Sequence, residues 1–412
     1  MALSWFDIVL VVLYLIIVIA IGLWVRRRET TKEFLLAGRK VNTLQTVASM
    51  VAVLGGMVIV SQAALAFDLG FSAIWLYVGF ALGTIGLGLF AGRIKKISDK
   101  YEFLTISDYI FTRFDRKSGF LAAIIVFVAF FSLLTAQFIA GGSLFSPLLG
   151  IDYYLAVIIM GVGTLFYLLL GGFKAVIKTD LLQFFIMLIV FLILLFTISP
   201  GEYSSEQLDF GILGIPTILI FVVMGIFTLF GSADIWQRLF ASQSSKTARN
   251  ATFITALLFL VFGIALTFVG VAAKNNFPDI SSNEAFYYGF FQLVPEWLLG
   301  ISIIVVLAAI MSSIDTQLFV LSSSIAKDFF YRNKKISNEE MARIIRVSLV
   351  VLAVLSMVVA IFVADILTIL FGIISLLLAV SPSIVASLFW RIKRNSVFLS
   401  MFAGIISLLY LV

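Results

Sequence analysis

The sequence predicts an all-α, polytopic membrane protein with about twelve transmembrane helices. Of its 412 residues, 62% are hydrophobic and only 12% are charged, far from the usage of soluble domains. The apolar residues fall in runs long enough to cross about 30 Å of hydrocarbon. The basic residues supply a third observation. With twelve spans and the N-terminus outside, all of the 28 Lys and Arg except Lys274 fall in connections on the inward face. That asymmetry orients membrane proteins, and miscounting one span would scramble it for every later loop.

The spans are expected near 6–25, 44–66, 72–94, 118–142, 153–171, 180–199, 212–234, 250–273, 297–327, 343–363, 366–390 and 395–412. No basic residue precedes the first, and Arg26, Arg27 and Arg28 follow it, so it reads as an uncleaved anchor. The tenth and eleventh are separated only by Ala364 and Asp365. The polar connections are too short to hold a kinase, nucleotide-binding or ligand-capture module. Cys and His are both zero, which excludes disulfides, thiol chemistry, Cys/His metal sites and histidine proton relays. The net charge of +6 follows from the topology and from contact with anionic lipid, and does not imply nucleic-acid binding.

Two spans carry sequence that loosens a helix deep inside the membrane. The second holds Ala52-Val53-Leu54-Gly55-Gly56-Met57; the seventh holds Gly225 and then Gly231-Ser232-Ala233-Asp234. Glycine there also suits close helix packing. With the first span set aside, however, these become the opening helices of two five-helix sets. Interrupted segments in matching places of two halves point to an inverted-repeat transporter. The expected organisation is an anchor helix and first cytoplasmic loop (1–43), a first five-helix repeat (44–199), a second, inverted repeat (200–390) and an extra C-terminal helix (391–412). Unwound backbone frees carbonyls for a cation and amides for an anion, and is tolerated only where it lines a cavity.

The stretch Leu307 to Phe330, which begins in the ninth span, places adjacent hydroxyls, Ser312 and Ser313, beside the small residues Ala308 and Ala309, with Asp315 just beyond. Hydroxyls in a membrane helix often bond the preceding turn's carbonyl. This whole string also suits an oxygen-ligand site for a small hard cation. Asp315 shares a face with Ser312, so it can add charge near such an ion or pair with a basic residue elsewhere.

Three strings resemble the sodium:solute symporter family, the group of sodium/proline, sodium/pantothenate and sodium/glucose carriers. GGFKAVIKTDLLQ (Gly171 to Gln183) is similar to the family's GG-x-x-AV-x-x-TD-x-x-Q element. DIWQRLFASQSSKTARNA (Asp234 to Ala251) is similar to its QR-x-x-A-x-x-S loop. AAIMSSIDTQLFVLSSSIAKDF is similar to its A-x-x-(S/T)(S/T)-x-x-x-QL-x-x-x-SS element. ASMVAVLGG, Ala48 to Gly56, is a weaker fourth match. The resemblance covers about 50 to 390 and implies a LeuT-like five-plus-five inverted repeat with one helix before the core and one after. It also implies a sodium-coupled symporter and not an enzyme, importing a small organic solute across the cell (inner or plasma) membrane by alternating access.

Carried over residue by residue, the resemblance implies a sodium site of Ser312 and Ser313 hydroxyls and the carbonyls of Ala309, Ala52 and Gly55. Asp180 matches the acid that helps the ion leave; an N-cap shared with Thr179 is the alternative. Substrate candidates are Gly56, Met57, Gln137, Ser232 and Trp236, with Gln137 equally suited to an interhelical hydrogen bond. The sequence departs from the sugar carriers, whose Asn and gating Tyr are matched by Ser232 and Asp234, and from the proline carriers, whose acid and Trp in the first core helix are missing. An amino acid such as proline or a small carboxylate is therefore expected over a sugar. Partners are lipid, the sodium ion and the solute, with no nucleic acid and no protein partner implied. Three alternatives remain: a proton-coupled carrier of the same fold through Asp315 or Asp180, a membrane sensor, for which an appended signalling domain is not seen, and a pore, for which no filter or charge ring is seen.

Overall fold

Helices in this chain begin where a short polar side chain meets an apolar run. Thr30 with Glu33, Asn42 with Gln45, and Thr105 with Asp108 form reciprocal capping boxes, and Asp115 and Ser244 cap alone. Each satisfies amides that a first helical turn leaves without partners. The computed structural model describes residues 4–26, 30–198, 201–330, 337–362 and 366–411. Among them the helices are α1 (Trp5–Arg26), α2 (Thr31–Leu36), α3 (Thr43–Ala52), α4 (Gly56–Leu69), α5 (Trp75–Tyr101), α6 (Ile106–Arg113), α7 (Arg116–Leu149) and α8 (Tyr153–Thr197). They continue with α9 (Gly214–Gly231), α10 (Ala233–Ala241), α11 (Ser245–Asn276), α12 (Ala285–Tyr287), α13 (Leu299–Ser324), α14 (Asn338–Phe362), α15 (Ile366–Phe389) and α16 (Arg394–Leu411). Among the described residues there is no named strand, only an isolated bridge between Val41 and Ser242. The expected separator Ala364–Asp365 and the last residue of the twelfth span lie outside the described residues.

The expected loop between the fifth and sixth spans is a correction. α8 is helical throughout its 45 residues except at Gly172, whose φ of 50° and ψ of −152° interrupt it. Before that point Ala156 shares a groove with Val11 and Leu15 of α1, and Gly171 packs on Gly22 and Val25. After it, Gln183 bonds the Tyr14 hydroxyl at 2.9 Å, so the chain has turned back along α1. Two spans thus join through one residue in a region of backbone space that only glycine adopts freely, and a Cβ there would sit 2.3 Å from the Phe34 ring.

α13 lies at the centre. Every residue from Ser302 to Ser324 is buried, and it packs against α1, α7, α8 and α14. The outward faces of α1, α9 and α14 expose large apolar side chains such as Ile16, Ile215 and Val351. A protein with a buried polar core and apolar exterior is built for lipid. On the face carrying the basic loops, Arg39 and Lys95 both donate to the Phe240 carbonyl, at 3.3 and 2.9 Å, and to Asp99, at 3.1 and 2.7 Å. They tie the segment before α3 to the ends of α5 and α10.

Candidate functional site

Both loosened segments are breaks. α3 stops at Ala52 and α4 starts at Gly56. In between, Leu54 N donates to Val51 O at 2.9 Å and Gly55 N to Val53 O at 2.7 Å. These tight turns leave the Ala52 carbonyl without a helical donor. It meets α13 instead, with Ser312 Oγ at 3.0 Å and Ser313 Oγ at 3.5 Å. Ser312 Oγ also lies 3.0 Å from Ala309 O. The helices approach this closely only because residue 55 has no side chain: a Cβ there would stand 1.7 Å from Ser313 Oγ and 3.1 Å from Ala309 O. Ala52, Ala309, Ser312 and Ser313 thus bring neutral oxygens together in one buried cluster against the backbone of Gly55, whose own carbonyl accepts from Ile59 N at 3.0 Å. Among the described residues no group of three His, Cys, Asp or Glu could hold a metal. Carbonyl and hydroxyl dipoles of this kind can replace part of a monovalent cation's hydration shell.

The second break is charged. Ser232, at φ −72° and ψ 96°, separates α9 from α10. Its hydroxyl donates to Asp234 Oδ1, which also accepts from Ile235 N at 2.8 Å. Asp234 Oδ2 is buried without a partner. One turn on, Arg238 is wholly buried and donates from Nε to Ser49 Oγ at 2.8 Å, and from Nη2 to Thr316 Oγ1 at 2.5 Å and Asp180 Oδ2 at 3.3 Å. Ser49 in turn donates to Asp180 at 2.5 Å. This network joins α10 to α3 just before the first break, to α8, and to α13 one turn beyond the paired serines.

Asp180 is therefore an ion-pair carboxylate inside a helix that has already restarted at residue 173. The N-cap alternative fails, and Thr179 bonds the Ala175 carbonyl at 3.1 Å. Among the described residues Asp315 has no salt-bridge partner. It accepts from the Tyr167 hydroxyl at 2.6 Å, leaving Oδ1 without a partner. Gln137 makes the interhelical bond, its Oε1 accepting from Met57 N at 3.0 Å, while its Nε2 has no partner.

A cavity of about 80 Å³ lies where the breaks face each other, lined by Val53 and Leu54 from the first and by Ser232 and Asp234 from the second, with Phe80, Phe130 and Phe259 beside them. Of the substrate candidates, Ser232 is on its wall. Gly56 packs on Ile310, and Trp236 is buried away from it, bonding Phe230 O at 2.9 Å and stacking near Tyr109. Met57 and Gln137 are bonded to each other behind the first break. The sequence reading did not assign Asp234 or Arg238 a contact. The signal was present, since an ionisable residue at membrane depth is a functional candidate by default. The three phenylalanines gave none, because an aromatic in an apolar span looks like core.

The model of the sodium:solute symporter family matches residues 34–208 and 212–404. The sodium/proline symporter of Salmonella typhimurium is 27% identical, over 99% of this chain and 88% of that one, and that of Escherichia coli is 28% identical with the same coverage. The osmoregulated proline transporter of Bacillus subtilis is 28% identical over 84% of this chain and 75% of its own. A Na+-coupled sialic acid symporter, solved in its substrate-bound outward-open state, superposes with a TM-score of 0.82 at 19% identity, covering 98% of this chain and 96% of that one. MhsT in complex with L-phenylalanine gives 0.61 at 15% identity, covering 90% and 98%. These likenesses establish the LeuT-like fold.

Proposed function

The chain belongs to the sodium:solute symporter family, and from that premise we propose that it imports a small organic solute with sodium, the ion held where α13 meets the first break. Ser312 and Ser313 give hydroxyl oxygens, and Ala52, Gly55 and Ala309 give carbonyls. The observation that carries this reading is the convergence of the Ala52 and Ala309 carbonyls and the two serine hydroxyls beside the Gly55 backbone. Neutral ligands hold a single positive charge without trapping it, so release remains fast. The ion bridges α13 and α3–α4, which favours the arrangement in which both are close. The solute favours the same arrangement from the cavity between the breaks, and that shared preference is the coupling. Asp180, one turn from the serines through Thr316 and tied to Arg238, lies on the ion's route toward the basic face.

The protein sits in the plasma membrane with its N-terminus outside, as the basic loops require, and residues 44–199 and 200–390 act as the two repeats. An apolar cavity with few hydroxyl-bonding groups suits an amino acid such as proline, or a small carboxylate, better than a sugar; several relatives are named sodium/proline symporters. Proton coupling is the second reading, favoured by a buried Asp315 that meets a hydroxyl and no cation.

Equilibrium binding of radioactive sodium to purified protein tests this, with potassium and acidic pH as competitors. Wild type is expected to bind saturably, and Ser312→Ala/Ser313→Ala to lose binding while folding normally. Absence of specific binding in well-folded wild type would overturn the ion assignment, and competition by acid alone would move the coupling to Asp315.

A further inference from the structure

The three carboxylates around the breaks are not equivalent. Asp180 has the Arg238 guanidinium and Ser49, and Asp315 has the Tyr167 hydroxyl. Asp234 Oδ1 accepts from the Ser232 hydroxyl and the Ile235 amide. Its Oδ2 is without a partner, although the residue is 1% exposed. Arg238 is close enough to act on it by charge but donates no hydrogen bond to that carboxylate: the guanidinium is engaged with Ser49, Asp180 and Thr316, and bonds residue 234 at the backbone carbonyl, at 3.3 Å. Buried carboxylate oxygens retain a partner in native proteins. Asp234 lies on the cavity wall among Phe80, Phe130 and Phe259, and aromatic faces attract a cation.

We propose that Asp234 is the solute-selecting residue of this carrier, its Oδ2 accepting an N–H from the ammonium of a small amine-bearing solute whose carbon skeleton packs against the three rings. This rests on the sodium-symport reading above and narrows it: amino acids are taken, and simple carboxylates are rejected. Charge supports the assignment. Asp180, Asp234 and Asp315 face one guanidinium around the breaks, a net charge of −2 if all are ionised. One sodium reduces that charge to −1, and a zwitterionic amino acid, neutral overall, leaves it there while placing its ammonium at Asp234, whereas an anionic solute would return it to −2 in a medium of low dielectric. A site built to bond an N–H also rejects the analogue lacking it, because the carboxylate is left bare.

The test uses full-length purified protein loaded with sodium, and three matched pairs: L-proline and cyclopentanecarboxylate, L-alanine and propionate, L-leucine and 4-methylpentanoate. Binding is read by thermal shift and by radioligand competition. At least one amine is expected to bind while its deaminated partner binds at least tenfold more weakly. Asp234→Asn, which keeps the Ser232 and Ile235 contacts, is expected to lower that amine's affinity at least tenfold while sodium binding stays within twofold. The idea is overturned if a deaminated partner binds as well as its amine, if no amine binds sodium-loaded wild type, or if Asp234→Asn retains the amine. The pair comparison is made on wild type, so misfolding of the variant cannot decide it. Repeating the amine arm in potassium separates failure of the ion assignment, which would leave amine binding intact, from failure of this one.

Discussion

The two helix breaks occupy equivalent places in the two halves and are built from opposite materials. The first offers only neutral dipoles: a carbonyl from Ala52, hydroxyls from Ser312 and Ser313, and glycine backbone between them. The second is charged throughout, with Asp234 at its start and Arg238 one turn on. The difference teaches how one membrane core can be both labile and stable. Neutral oxygens exchange a cation cheaply, since each desolvated dipole costs little compared with a buried charge. Paired charges cost much to separate, so Arg238 with Asp180 keeps α3, α8, α10 and α13 in register while the ion comes and goes.

Charge removal at the second break is expected to have the largest effect. Arg238→Met leaves Asp180 buried and unpaired, and should destabilise the protein by about 3–5 kcal/mol, read as a lost or sharply lowered thermal transition in detergent. Adding Asp180→Asn should recover most of that, because a buried pair replaced as a whole is often close to neutral. If the single variant is as stable as wild type, the contrast between the breaks collapses.

A smaller effect is expected at the first break. Gly55→Ala forces a methyl group onto Ser313 Oγ and should cost about 1–3 kcal/mol through overpacking. Sodium affinity should fall at least tenfold, more than the stability loss alone would produce, and isotope binding set beside the melting curve separates the two. The paired serine-to-alanine change should sharpen the contrast further, removing ion binding with stability nearly unchanged.

The smallest effect is expected away from both breaks, at the start of α2. Backbone bonding from Thr30, then the ion pair with Lys174 at 3.0 Å, hold the Glu33 carboxyl below the ordinary carboxylate range. A lowered folded-state value means that this contribution is fully present above the unfolded glutamate value and is lost as pH falls through the folded one. Thr30→Ala should cost about 1 kcal/mol and leave sodium binding untouched. The Thr30 backbone N–H and the Lys174 pair remain in that variant, so melting curves across acidic pH should show it as sensitive as wild type over that window, whereas Glu33→Gln should lose the sensitivity.

The sequence by itself determined the all-helical membrane class and marked the apolar helices, because composition acts on each segment alone: a run of apolar residues long enough to cross lipid reads as a span wherever it lies. It also marked the residues proposed to hold the ion, since Gly55, Ser312 and Ser313 are small polar or side-chain-free residues in apolar surroundings, which is a local anomaly. It did not reveal that residues 173–179 are helix and not loop. One glycine torsion reverses the chain there, and torsions are set by what packs around them, here Phe34. Nor could it say which of three acids finds a partner. Asp180, Asp234 and Asp315 look alike along the chain, and only the packing of α3, α8, α10 and α13 brings the single guanidinium to one, a tyrosine to another, and leaves the third facing a cavity. Pairing of buried charges depends on distances between segments far apart in sequence, so the tertiary structure alone decided it.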